Sequence, residues 1–309
     1  MKIISLQSPV LFKDLKVKYG IEKYTFVNGC IGYNDEVYFL FSGHVPERIK
    51  GMFVDTQANA RYMAVHGVVD WTNEELVYEE CFDFGVHEMN YHFIQPIGEN
   101  ILLLGSRCRM LNSGMYEENA CIVNRQGEIL QAFCLGDGIE DCIVTRDGRI
   151  ITSYFDEGVL GDAPFGNKGL VIWDCNGCRI WENKKYWIMN CDAINVDEQE
   201  NLWFYYYGDY DYDLIRIDFE TDIVYHPEIK GMRKFLITKR KQLLCDGGDN
   251  YYGQFFKIDI LHDCLGNMEI VNLEYDGKLL LLKDAAFRSS KAIFMDNKGR
   301  VYFKDIIYV

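Results

Sequence analysis

Residues 135–154 read LGDGIEDCIVTRDGRIITSY. The second half is two short apolar runs folded around the turn Arg146-Asp147-Gly148, the pattern of an antiparallel strand pair. The first half sets three acids, Asp137, Glu140 and Asp141, just ahead of an apolar run. A strand pair is ordinary. Concentrated negative charge where a strand begins is less so, and the rest of the chain has to say whether the arrangement recurs.

It does. Runs of aromatic and branched residues begin at Val37 (VYFLF), Ile101 (ILLLG), Ile150 (IITSY), Leu202 (LWFYYY), Leu243 (LLCDG) and Val301 (VYFKD). Each follows turn-forming residues: YNDE, IGEN, RDGR, EQEN, KRKQ and NKGR. The intervals run from 41 to 64 residues and average 51.5 when the count wraps through the chain ends. That is about one four-stranded blade per interval, and no interval holds two blades of roughly 40 residues each. The predicted fold is all-β: a six-bladed propeller of four-stranded blades of about 50 residues, one domain spanning 1–309. Its last blade is closed by strands from both ends. Two are expected from the C-terminus and two from KIISL (2–6) and LKVKYG (15–20), which would hide edges that otherwise aggregate. VIWDCNGCRIW (171–181), ACIVNRQGEILQAF (120–133) and LIRIDFETDIVYH (214–226) read as outer hairpins, the first around Asn176-Gly177.

Composition narrows the function classes. The chain is 49% hydrophobic and 15% aromatic, enough for a large core. Its formal net charge of −15 repels phosphate backbones, so no nucleic-acid partner is expected. RKFLITKRKQ (233–242) reads as a turn with solvated charges. No apolar run is long enough for a bilayer, and the N-terminal residues lack the apolar stretch of a signal peptide. No membrane partner is expected. Eleven cysteines without framework spacing suit a reducing cytoplasm.

Chemistry is therefore sought in the segments leading into the innermost strands, which converge on the propeller axis. They are FVNGC (26–30), GVHEMNYHF (85–93), GDGIEDC (136–142), IMNCDAI (188–194), GMRKFL (231–236) and KDAAFRSS (283–290). Acids and amides recur there: Asn28, Glu88, Asn90, Glu140, Asp141, Asn190, Asp192 and Asp284. Such a ring can hold a hard cation, Ca²⁺ or Mg²⁺. It can equally be filled by water. Both readings stand at this point. His87 with Glu88 is the pair suited to acid–base work near neutral pH.

Long loops rich in Gly, Tyr and acids fall on the same face: 42–59, 106–119, 154–169, 206–213 and 245–254. With the acids they make Glu140, Asp141, Asp192, Asn90, Asp284, Arg288, Asp156 and Tyr207 the candidate ligand-binding residues. DYDYD (209–213) lacks the Gly and distal Glu of a calcium loop. CNGC (175–178) has no second Cys pair at zinc spacing.

VTRDGRIITSY and FMDNKGRVYFKD resemble the repeat of the six-bladed propeller superfamily, which includes gluconolactonase-like enzymes, NHL-repeat proteins and lyase-type propellers. The resemblance covers the whole chain as a repeat. It implies a divalent metal in the channel, with Glu140, Asp192 and Asn90 in the ligand places. Two functions follow as expectations. One is a binding protein that takes a small molecule or protein on its loop-rich channel face. The other is a metal-dependent hydrolase or lyase of a sugar lactone or similar molecule.

Overall fold

In the computed structural model, which describes residues 2–46, 48–49, 52–53, 58–217, 221–307 and 309, six sheets form a ring, five of them four-stranded and antiparallel and the sixth extended to six strands. Blade 1 is Thr25–Ile31, Val37–Ser42, Ala60–Asp70 and Glu75–His87. Blade 2 is Phe93–Ile97, Asn100–Leu104, Ala120–Val123 and Ile129–Phe133. Blade 3 is Ile139–Val144, Ile150–Tyr154, Leu170–Trp173 and Arg179–Glu182. Blade 4 is Asn190–Val196, Leu202–Gly208, Asp211–Ile217 and Asp222–Tyr225. Blade 5 is Phe235–Ile237, Gln242–Gly247, Tyr251–Ile260 and Leu265–Tyr275. Blade 6 is Leu282–Arg288, Lys291–Asp296 and Arg300–Asp305, completed by Val10–Leu11. The first strand of each blade meets its neighbours around the axis.

The aromatic runs follow from this packing. A blade is covered on both sides, so its second strand has no solvent face and alternate residues enter two different cores. Val37, Phe39 and Phe41 pack toward blade 6, while Tyr38 and Leu40 pack toward blade 2. Leu202, Phe204 and Tyr206 pack against blade 3, while Trp203 and Tyr205 pack against blade 5. Six such clusters fill the six gaps between blades. Each fully buried side chain of this size contributes roughly 1.5–3 kcal/mol.

Closure by both ends holds, but the division of strands differs from the expected two and two. Three C-terminal strands and one N-terminal strand make blade 6. Lys2–Leu6 instead runs parallel to Leu265–Tyr275 on the outer edge of blade 5. The predicted strand LKVKYG lies mostly in the helix Phe12–Lys18, with Asp14 in its first turn and Lys16 and Lys18 in its last, as the helix dipole favours. VYFKD is the third strand of blade 6, not the second, and KDAAFR is that blade's innermost strand. The miscount has a chemical cause. In the turn before VYFKD, Asp296 Oδ1 accepts the N–H groups of Lys298 and Arg300. Asp197 does the same for Gln199 and Asn201 before a second strand, and Asp174 for Asn176 and Cys178 before a fourth. One turn chemistry serves three strand positions, so the motif does not count strands.

Of the long loops, 42–59 is described at 42–46, 48–49, 52–53 and 58–59, where Arg48–Ile49 pairs antiparallel with Met52–Phe53. No helix among the described residues is long and apolar enough to cross a membrane.

Candidate functional site: an acidic channel mouth

The innermost strands enclose a cavity of about 70 Å³ lined from all six blades, among others by Asn28, Gln95, Asp141, Ile194, Lys234 and Arg288. That is room for a few water molecules, not for a sugar-sized ligand. Any such ligand therefore meets the channel at its mouth, where the lead-in segments and the loops after the second strands come together.

β-bulges shape that mouth. In blade 3, Ile139 pairs with Tyr154 and Asp141 with Ser153, leaving Glu140 outside the ladder. In blade 4, Asn190 pairs with Tyr207 and Ala193 with Tyr205, so Cys191 and Asp192 share the space opposite Tyr206. Blades 1 and 6 have the same irregularity near Val27 and Lys283. A bulge re-aims a side chain that regular pleating would fix. Here it applies to the two acids the sequence singled out. The loop carrying Asp137 and Glu140 is seated by two glycines in contact. Gly138 has φ +70°, and a Cβ on it would come within 2.4 Å of the Gly158 nitrogen.

Charge is left uncompensated there. Glu140 is pushed up to about 7 by desolvation and by Asp141. Asp192 is raised to about 7 by burial, then by Glu140 and Asp249. Asp141 is raised to about 6 by burial, against the pull of the Cys142 N–H that its Oδ1 accepts at 2.7 Å. Asn190 Nδ2 donates to Asp192 Oδ1. Asp192 Oδ2 is buried and has no hydrogen-bond partner among the described residues.

Two cations that sequence reading set aside as solvated stand close by. Arg233 and Lys234 give their backbone N–H groups to Asp246 Oδ1 at 2.8 and 3.0 Å. Their side chains are engaged elsewhere: Arg233 with Asp249 at 3.3 Å, Lys234 with Asp284 at 2.6 Å and with the Ala285 carbonyl. They moderate Glu140 electrostatically without bridging it. The signal that could have found them was position, since GMRKFL is the blade 5 counterpart of GDGIEDC. Tyr205, Tyr207 and Tyr212 form an aromatic wall whose Tyr205 and Tyr212 feel Asp192, with Tyr205 and Tyr212 stacked at 5.2 Å and Tyr207 tilted against Tyr212 at 5.0 Å. DYDYD supplies Tyr212 from the hairpin after this strand.

The remaining candidates scatter. Asp156 opens a short helix in the blade 3 loop, and its N–H reaches Asn190 Oδ1 at 3.2 Å. Arg288 lies at the far end of the channel, donating to the Val144 carbonyl at 3.0 Å and to Glu200 at 3.1 Å. His87 ends the outermost strand of blade 1. It is buried, with Nε2 2.9 Å from the Phe84 carbonyl and Nδ1 3.3 Å from the Tyr91 hydroxyl, and burial lowers its pKa. Its neighbour Glu88 is exposed. Neither is among the residues lining the channel cavity. Asn90 lines a separate groove of about 280 Å³ with Phe26, Tyr62 and Tyr91.

The donor set fits a divalent metal poorly. Among the described residues, no three of His, Cys, Asp and Glu gather into a metal-holding group. Asn90 is in another groove, and two cations flank the acid pair.

No protein-family model matches the chain, and no curated protein matches it in sequence. Solved structures do match in shape. Regucalcin of Agrobacterium tumefaciens, described as a calcium-binding protein, aligns over 99% of this chain and 96% of its own, with TM-score 0.50 and 10% identity. YCF48 bound to D1 peptide aligns over 92% and 94%, with TM-score 0.49 and 8% identity. The WD40 propeller domain of Doa1 aligns over 91% and 96%, with TM-score 0.45 and 9% identity. At 10% identity the likeness to regucalcin is one of fold alone, and the chain's own six sheets make the fold a six-bladed β-propeller.

Proposed function

We propose that this chain is a binding propeller, acting as one domain in a reducing cytoplasm, whose channel mouth takes a positively charged organic group. The observation that carries the reading is Asp192. Its Oδ2 is buried without a donor, beside Glu140 and an aromatic wall. A buried carboxylate oxygen without a partner is costly, and an ammonium or guanidinium would supply both the charge and the hydrogen bonds. Half-buried Tyr207 and Tyr212 favour an organic cation, because aromatic faces attract such groups at close range. Asn190 orients Asp192, Asp156 adds negative charge, and Arg233 and Lys234 keep the empty mouth from excessive repulsion.

The test is a melting-temperature titration with arginine amide and with spermidine at pH 8, with Mg²⁺ and Ca²⁺ as parallel arms. The organic cations should stabilise the protein at concentrations on the order of 10 mM or below. Asp192→Asn with Glu140→Gln should remove the effect. A melting point indifferent to both organic cations would overturn the reading. Stabilisation by Ca²⁺ alone, lost in the same variants, would transfer the site to a metal-dependent hydrolase or lyase.

A further inference from the structure

The mouth is surrounded by apolar side chains turned to solvent. The loop after the second strand of blade 2 exposes Met110 and Met115, both at 66%. Leu160 in the corresponding loop of blade 3, Tyr210 at 93% in the hairpin turn of blade 4 and Tyr252 at 87% at the start of the third strand of blade 5 are exposed as well. Trp187, just ahead of the innermost strand of blade 4, is also exposed. Soluble surfaces scatter such residues singly, whereas a gathering around one cleft marks a binding face. Met, Tyr and Trp are also the types enriched at protein interfaces.

These loops are braced into one rim. Tyr116 packs edge-on against Phe165 at 5.3 Å, and Arg107 bridges Asp137 and Glu157, tying the blade 2 loop to blade 3. The Asp156 N–H holds Asn190 of blade 4. Lys230 reaches Asp211 at 3.2 Å, tying the blade 4 hairpin to the segment ahead of blade 5. In blade 6 the corresponding connection is the tight turn Asp296–Arg300, as short as the hairpin turns of blades 4 and 5, so the long rim loops of blades 2–6 are those of blades 2 and 3.

Charge names the occupant. Arg107, Arg109, Lys230, Arg233 and Lys234 are each matched by a carboxylate. No ion pair joins Glu140, Asp156 or Asp192 to a cation among the described residues, and the whole chain carries −15. We infer that the occupant is a segment of a partner protein bearing a lysine or arginine flanked by large apolar residues. The cationic side chain enters the mouth and its neighbours settle on the Met110–Met115 and Tyr210–Tyr252 rim. This rests on the cation-binding reading of the mouth, and adds that the cation arrives on a peptide.

Two heptapeptides separate the two ideas, each with a central arginine, one flanked by leucine and phenylalanine and the other by serine. Affinities would be measured by fluorescence anisotropy against the wild type, against Met110→Ser/Met115→Ser, against Tyr210→Ser/Tyr252→Ser, and against Asp192→Asn. The apolar-flanked peptide should bind the wild type at least about tenfold tighter than the serine-flanked one, a difference of about 1.4 kcal/mol. Both rim variants should erase that advantage and leave arginine amide binding unchanged. Equal affinity for the two peptides, or an advantage that survives both rim variants, overturns the peptide inference while the mouth stands. Rim variants that abolish binding while Asp192→Asn changes nothing overturn the role of the mouth itself.

Discussion

On one face of the ring, Arg288 reaches from blade 6 across the channel floor to the Val144 carbonyl of blade 3 and to Glu200 of the blade 4 turn. Arg146 donates to the Tyr33 carbonyl of blade 1 at 3.0 Å, and Lys291 meets Asp35 at 3.1 Å. Asn195 gives its amide to the Phe235 carbonyl at 2.7 Å and accepts the Ser289 N–H. On the other face, Asp192 keeps an oxygen without a donor, and Glu140 is thrust out of its ladder by a bulge. The same strands run between the two. The floor has short turns and bonds between opposite blades. The mouth has the long loops of blades 2 and 3, crowded carboxylates and exposed Met and Tyr. The floor ties blades together across the channel, while the mouth gathers carboxylates that no ion pair joins to a cation among the described residues.

Substitutions should separate the two faces by size and sign. The largest effect belongs to the floor. Arg288→Ala leaves the Val144 carbonyl without its donor and Glu200 without its cationic partner, and should cost about 3–5 kcal/mol in urea unfolding. Its arginine amide affinity should match that of the wild type under conditions where it remains folded. A loss under 1 kcal/mol would break the contrast. Next comes Gly138→Ala, where a methyl group at positive φ meets the Gly158 backbone. About 1–3 kcal/mol should be lost, along with cation affinity, because the loop bearing Glu140 must shift. Gly148→Ala, at a positive-φ turn with nothing within 4 Å, should leave affinity alone.

The third effect has the opposite sign. Glu140 and Asp192 are raised in the folded protein, so it holds protons that the unfolded chain releases near pH 4. Stability from these groups is full below that range and is lost as pH rises through about 7. Glu140→Gln with Asp192→Asn should therefore flatten the melting temperature between pH 5 and 8 and raise it at pH 8 by about 2–4 °C. A wild-type protein whose melting point climbs steadily across that interval would contradict the assignment. Smallest is Arg107→Ala, which removes exposed bridges at the rim and should cost no more than about 1 kcal/mol.

Much of this was legible in the sequence, for reasons that differ by region. Second strands such as VYFLF and LWFYYY are visible because burial on both sides leaves no polar alternation. Outer hairpins are visible because Asn176-Gly177 needs a turn that few other residues make. Glu140 and Asp192 stood out as acids at corresponding positions, but the bulges that aim them did not. A bulge is a relation between two strands, and neither strand encodes it alone. Arg233 and Lys234 were lost in a basic stretch whose other half, Lys239 to Lys241, is an ordinary turn. His87 sat beside Glu88 in a lead-in segment, yet that stretch continues the outermost strand of blade 1, which runs on to residue 87. The Asp296 turn imitated a first-to-second-strand turn and shifted blade 6 by one strand.

The N-terminal segment has a consequence in time. Lys2–Leu6 pairs with residues 271–275, and Val10–Leu11 with residues 300–301. At 5–20 residues per second, roughly 15–60 s separate the synthesis of these partners. Through that interval Ile4 and Leu6, buried in the finished ring, have no native surface to cover them. The nascent chain is a growing arc that cannot lock until its final strands emerge. The protein's most exposed moment is then set by translation, and a holding chaperone would act on its first dozen residues.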